Sequence, residues 1–95
     1  SYFDKVYLLN LEKEKNKLKN ISKKLSELNI VFDRFEAIDG EDFTGNYYGE
    51  NQDGFIENKY ALACLLSHIE IIKNAKINNY KRILVLEDDI FFINN

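Results

Sequence analysis

Ninety-five residues, 45% hydrophobic and 14% aromatic, suffice for one small domain with a real core, or for part of a larger one, and exclude disorder of the whole chain. A formal net charge of −3 gives no reason to expect a nucleic-acid partner, because phosphate recognition wants a positive excess. The single cysteine, Cys64, excludes an internal disulfide framework and a cysteine-based zinc site, and it fits a reducing, cytoplasmic setting.

No apolar run approaches the roughly 20 residues that cross a bilayer, so no transmembrane segment is expected. No signal-peptide pattern opens the chain either. Lys, Asn and Ile are abundant, proline is absent and arginine is limited to Arg34 and Arg82, a bias that looks like an AT-rich bacterial genome.

In chain order, Val6-Tyr7-Leu8-Leu9 reads as a first strand. Asn10 follows as an N-cap, with Glu12 and Glu14 in the first turn of a helix. Leu11, Leu18, Ile21, Leu25 and Leu28 then mark one face of that helix, ending at Asn29. Its lysines mostly read as a solvated face, except Lys13 and Lys17, which lie nearest the strand end where a bound phosphate could reach them. Ile30-Val31-Phe32 and Phe35-Ala37-Ile38 predict a second strand, interrupted or twisted around Asp33-Arg34 and closed by an Asp39-Gly40 turn. Residues Glu41 to Asn58, with three glycines and Tyr47-Tyr48, read as a long loop.

Asn58 can cap a second helix over Lys59 to about Asn78. Leu62, Leu65, Leu66, Ile69 and Ile72 form one of its faces, and Ala61, Cys64, His68, Ile71 and Ala75 another. This helix is therefore expected to be the more buried of the two. Ser67-His68 cannot form a nucleophile relay, because adjacent helical residues point about 100° apart. His68 reads first as a satisfied buried histidine and second as a donor or metal contact; Cys64 reads as packed core. Asn78-Asn79 breaks the helix before a strand running from Tyr80 to Leu86.

The stretch Ile83-Leu84-Val85-Leu86 looks like a parallel strand buried on both faces, and Glu87-Asp88-Asp89 follows at its C-terminal end. Ligands of open α/β sheets bind outside those ends. Three adjacent carboxylates there suit a hard divalent cation, Mg²⁺ or Mn²⁺, with a solvated acidic turn as the plain alternative. Asn10 and Asp39 fall on the same edge, each serving equally as a cap or turn residue. The expected fold is α/β: three mostly parallel strands and two helices, with the first strand in the middle. Because three strands are thin for independent stability, an oligomer or a missing C-terminal half is expected to complete the sheet.

Several of these segments resemble glycosyltransferase family 25: Val6-Tyr7-Leu8-Leu9-Asn10-Leu11, then Phe35-Glu36-Ala37-Ile38-Asp39-Gly40, then Cys64-Leu65-Leu66-Ser67-His68, then Val85-Leu86-Glu87-Asp88-Asp89. The resemblance covers almost all of this chain and the front half of a typical family member. It implies a GT-A, Rossmann-like fragment that forms a nucleotide-sugar-binding domain, taking UDP-galactose or a related UDP-sugar. Transfer would go to a lipooligosaccharide, lipopolysaccharide or other glycan acceptor, metal-assisted and with inversion, in the cytoplasm or peripherally at the inner membrane.

By resemblance, Asp89 would ligate the metal with support from Glu87, and Asp88 would approach the ribose. Asn10, Lys13, Lys17, Asp39 and His68 would complete the donor site. Lys13 and Lys17 stand where the family usually has arginines, and Ala63 where it has glycine. The general base is expected beyond Asn95. The second function considered is an inactive remnant that at most binds nucleotide or metal.

Overall fold

The computed structural model describes residues 2–43 and 59–90. Its elements are β1 (Lys5–Asn10), α1 (Lys15–Glu27), β2 (Asp33–Glu36), a 3-10 turn (Gly40–Asp42), α2 (Lys59–Ile77) and β3 (Ile83–Glu87). The three strands form one sheet in the order β2-β1-β3, with both pairings parallel. The expected α/β class and the central place of β1 are therefore observed, in an arrangement compatible with a Rossmann-like fragment.

The apolar run of β1 is continuous because both faces of that strand are covered. Tyr7 and Leu9 pack with Ile71 and Ala75 of α2 on one side. Leu8 packs with Ile21 and Leu25 of α1 on the other. Both helices end the same way: Asn29 and Asn79 take the left-handed conformation, each at φ 58°. The next residues, Ile30 and Tyr80, donate back to the carbonyls of Leu25 and Ala75 at 2.9 Å. This closure uses asparagine where glycine is commonest.

Four expectations need correction. First, β2 occupies Asp33–Glu36, so Asp33-Arg34, read as an interruption, lie within the strand, whereas Ile30, Val31, Phe32, Ala37 and Ile38 lie outside it. It is an edge strand among the described residues, so Asp33, Arg34 and Glu36 stay exposed while Phe35 alone packs against the core cluster of Tyr7 and Ile71. Second, α1 begins at Lys15, four residues later than expected, with Glu14 as N-cap and no capping side chain. Asn10 ends β1 instead, and its amide is used across the sheet.

Third, α2 buries Ala63, Ser67, Ile71 and Ala75, whereas Leu65, Ile69 and Ile72 remain 46%, 36% and 53% exposed. Small residues at the contact let the helix lie close to the sheet, which rotates the leucine face outward. Fourth, β3 starts at Ile83 and is the other edge of the described sheet, so Ile83 to Leu86 are half-buried rather than enclosed on both faces. Residues Asn58, Tyr47 and Tyr48 lie outside the described residues. Among the described residues, no helix is long and apolar enough to cross a membrane.

Candidate functional site

A cleft of about 370 Å³ opens at the C-terminal ends of the strands. Its walls are the end of β1, the approach to α1, residues 37–40, one face of α2 and the end of β3. This is the edge at which open parallel sheets bind ligands. Six of the eight residues proposed from sequence line it: Asn10, Lys13, Lys17, Asp39, Glu87 and Asp88.

Asn10 is the buried polar centre of this edge, at 2% exposure. Its Oδ1 accepts from Arg34 Nε at 2.9 Å, and its Nδ2 donates to Asp88 Oδ2 at 2.7 Å and to the Glu14 carbonyl at 3.0 Å. Its backbone carbonyl accepts from Arg34 Nη2 at 3.1 Å and from the Ala37 amide at 3.0 Å. Every hydrogen-bonding position of the Asn10 amide side chain that burial removes from water is thereby matched, as a buried amide requires. One residue thus ties β2, the start of α1 and the turn after β3 together.

Asp39 caps the 3-10 turn by accepting from the Glu41 amide at 2.9 Å, and its carboxylate pairs with Lys13 Nζ at 3.0 Å. The Glu41 N–H, and after it the Lys13 ammonium, hold the Asp39 carboxyl below the usual aspartate range. The same hydrogen bond to Asp39 raises the pKa of Lys13. Lys17 reaches Glu14 at 3.9 Å and borders both this cleft and a neighbouring groove.

Ser67 anchors the segment that carries Asp39. Its hydroxyl donates to the Ala63 carbonyl at 2.8 Å and accepts from the Ile38 amide at 2.9 Å. Gly40 then presses on the first turn of α2: a Cβ there would stand 2.8 Å from Tyr60 Cδ1 and 3.0 Å from Tyr60 Cα. Only glycine allows that approach.

The three consecutive carboxylates part company. Glu87 is the last residue of β3 and Asp88 the first of the turn after it, and their side chains go to different partners. Glu87 faces α2, 3.7 Å from His68 Nε2. Asp88 turns to Asn10 on the α1 side. Asp89 lines the neighbouring groove of about 360 Å³ with Asp88, Lys17, Asn20 and Lys24, away from Glu87. Among the described residues, no three His, Cys, Asp or Glu side chains converge on a metal-sized point. Carboxylate oxygens such as these are the kind of donor that Mg²⁺ or Mn²⁺ takes.

His68 is half-buried rather than enclosed; its Nδ1 lies 2.9 Å from the Cys64 carbonyl. Cys64 is exposed, not core, since the α2 contact falls on Ala63 and Ser67 beside it. Its thiol pKa is raised, first by desolvation and then by Glu87, which is the reverse of an activated nucleophile.

Sequence reasoning missed Arg34, Ser67 and Gly40 as site builders. For Arg34 a signal existed: it is one of two arginines in a chain whose other basic residues are all lysines. Fork-shaped donation to one partner is what arginine offers and lysine does not.

A parallel sheet with helices on both faces and a cleft at its C-terminal edge places the chain in the α/β class. The family model described as glycosyltransferase family 25 (LPS biosynthesis protein) matches residues 3–95, and the chain belongs to that family. A relative from Drosophila pseudoobscura pseudoobscura, described as a glycosyltransferase 25 family member, is 26% identical over 100 residues. The match takes in 94% of this chain and 16% of the relative, so the chain spans under a fifth of that protein's length. No solved structure matches at a significant level.

Proposed function

We propose that this chain forms the nucleotide-sugar-binding part of a family 25 glycosyltransferase, holding a UDP-hexose such as UDP-galactose in the cleft at the sheet edge. The observation that carries the proposal is the gathering of Asn10, Lys13, Lys17, Asp39, Glu87 and Asp88 around one cleft of about 370 Å³. Residues separated by up to 78 positions meet there, in a chain whose family suggests glycosyl transfer.

Each side chain has a task in this reading. Lys13 exchanges its exposed pairing with Asp39 for a diphosphate oxygen, which frees the Asp39 carboxylate to accept from a ribose hydroxyl. Lys17, at the border of the two clefts, supplies a second ammonium to the diphosphate. Asp88, held by Asn10, faces the ribose. His68, beside Glu87, lies at the α2 side of the donor sugar. Glu87 and Asp89 would hold Mn²⁺ or Mg²⁺, a Lewis acid for the charge that develops on the leaving diphosphate. The acceptor is a glycan or glycolipid, transfer inverts the anomeric carbon, and the general base belongs to a part of the enzyme outside these residues.

Calorimetric titration with UDP and UDP-galactose, with and without Mn²⁺, tests the proposal. Binding that requires Mn²⁺ and disappears in Asp89→Ala is the expected result. Nucleotide binding that is indifferent both to Mn²⁺ and to this substitution would overturn the metal assignment, and no binding at all would overturn the donor site.

A further inference from the structure

We infer that Arg34 is a positioning residue for the donor cleft: acting through the Asn10 amide, it fixes where the Asp88 carboxylate stands. The inference deepens the donor-site reading and rests on it for its consequences in binding; its geometric content stands apart.

Three side chains from three segments meet on one face of the sheet. Arg34 pairs in register with Leu8, whose side chain enters the α1 cluster, and Asn10 lies two residues on along the same face. Arg34 grips Asn10 at two points, Nε to the side-chain Oδ1 at 2.9 Å and Nη2 to the backbone carbonyl at 3.1 Å. An asparagine amide has two ends that differ only in donor or acceptor character. A guanidinium offers donors alone, so it selects the oxygen end and sends Nδ2 toward Asp88 Oδ2, 2.7 Å away, and the Glu14 carbonyl. The flipped amide would set its oxygen against two acceptors and its NH₂ against a donor.

Arg34 therefore governs Asp88 without touching it. Lysine could keep the charge, but one ammonium on a flexible stem cannot span Oδ1 and the backbone carbonyl with fork geometry. The other neighbour of the guanidinium, Glu36, lies 3.9 Å from Nη1 and is itself mostly exposed, so that ion pair does not account for the arginine.

The test uses ¹⁵N- and ¹³C-labelled protein and the variants Arg34→Lys and Glu36→Gln. In the unsubstituted chain the Asn10 side-chain NH₂ protons should exchange slowly with water. In Arg34→Lys that protection should fall at least about tenfold and the Asp88 carboxyl resonance should move, while the backbone resonances of α2 stay in place. Affinity for UDP with Mn²⁺ should drop by about 10- to 100-fold, the size of loss known for removing a partner that orients a metal ligand. Glu36→Gln should leave both the protection and the affinity intact.

Retained Asn10 protection in Arg34→Lys would overturn the inference, as would an equal loss in Glu36→Gln. If the unsubstituted chain fails to bind UDP with Mn²⁺, the donor-site reading falls. The Asn10 and Asp88 resonances still decide the role of Arg34.

Discussion

At the scale of single residues, the cleft is controlled by how buried polar atoms are matched. Asn10→Asp would replace a donor to Asp88 and to the Glu14 carbonyl with a second acceptor, and would set two carboxylates against each other. Leaving a buried group mismatched costs about 1–3 kcal/mol, so urea denaturation at neutral pH should show a loss of that size. The loss should shrink at acid pH, where protonation of one carboxyl restores a donor. Asp39 gives the complementary pH case. Its carboxyl is held low by the Glu41 N–H and then by Lys13, so its contribution to stability is present at neutral pH and is lost as pH falls through the lowered folded-state value. In Lys13→Ala, an NMR titration should place the Asp39 midpoint higher but still below the usual aspartate range, because the Glu41 hydrogen bond remains.

At the scale of elements, legibility in the sequence followed how closely pattern tracks burial. β1 was legible because Tyr7 and Leu9 face one helix and Leu8 the other, leaving an unbroken apolar run. The asparagine closures of α1 and α2 were legible for a local reason, since left-handed backbone favours Asn29 and Asn79 over bulkier residues. β2 was not, because an edge strand carrying Asp33, Arg34 and Glu36 outward has the composition of a turn. α2 misled for the opposite reason: its leucines dominate the apolar pattern, yet the sheet is met by Ala63, Ser67, Ile71 and Ala75. The acidic run does start at a strand end, but the turn that begins at Asp88 and sends it away from Glu87 depends on tertiary contacts such as the one with Asn10.

Ser67 shows what an α2 contact made of small residues permits. It lies buried between the Ala63 carbonyl and the Ile38 amide, one residue before Asp39. Ser67→Ala should strand that amide and lower stability by about 1–3 kcal/mol in urea denaturation. It should also weaken nucleotide binding through displacement of Asp39. Gly40→Ala should act on the same joint by overpacking, because the added methyl meets the backbone of Tyr60 as well as its ring. A cost of about 1–3 kcal/mol is expected there too.

At the scale of the whole molecule, the cleft and the core are held by the same few contacts. The sheet has three described strands, and its two faces are closed by separate clusters, one built on Leu8 and the other on Tyr7 and Leu9. The C-terminal edge joins these halves through Asn10, Ser67 and the Lys13–Asp39 pair, all of which line the cleft. A ligand seated there would touch β1, α1, residues 37–40, α2 and the end of β3 at once, so binding and stability would be linked. A molecule that binds only the folded chain adds about 2.7 kcal/mol at roughly a hundred times its Kd. For a domain near this size each kcal/mol moves the melting temperature by about 4–8 °C. Saturating UDP with Mn²⁺ should therefore raise Tm by roughly 10–20 °C in a calorimetric scan. Mn²⁺ alone should raise it far less, because Glu87 and Asp89 line different clefts. Equal shifts from Mn²⁺ with and without UDP would point to a metal site formed by protein ligands alone, against the dispersal of the three carboxylates over two clefts.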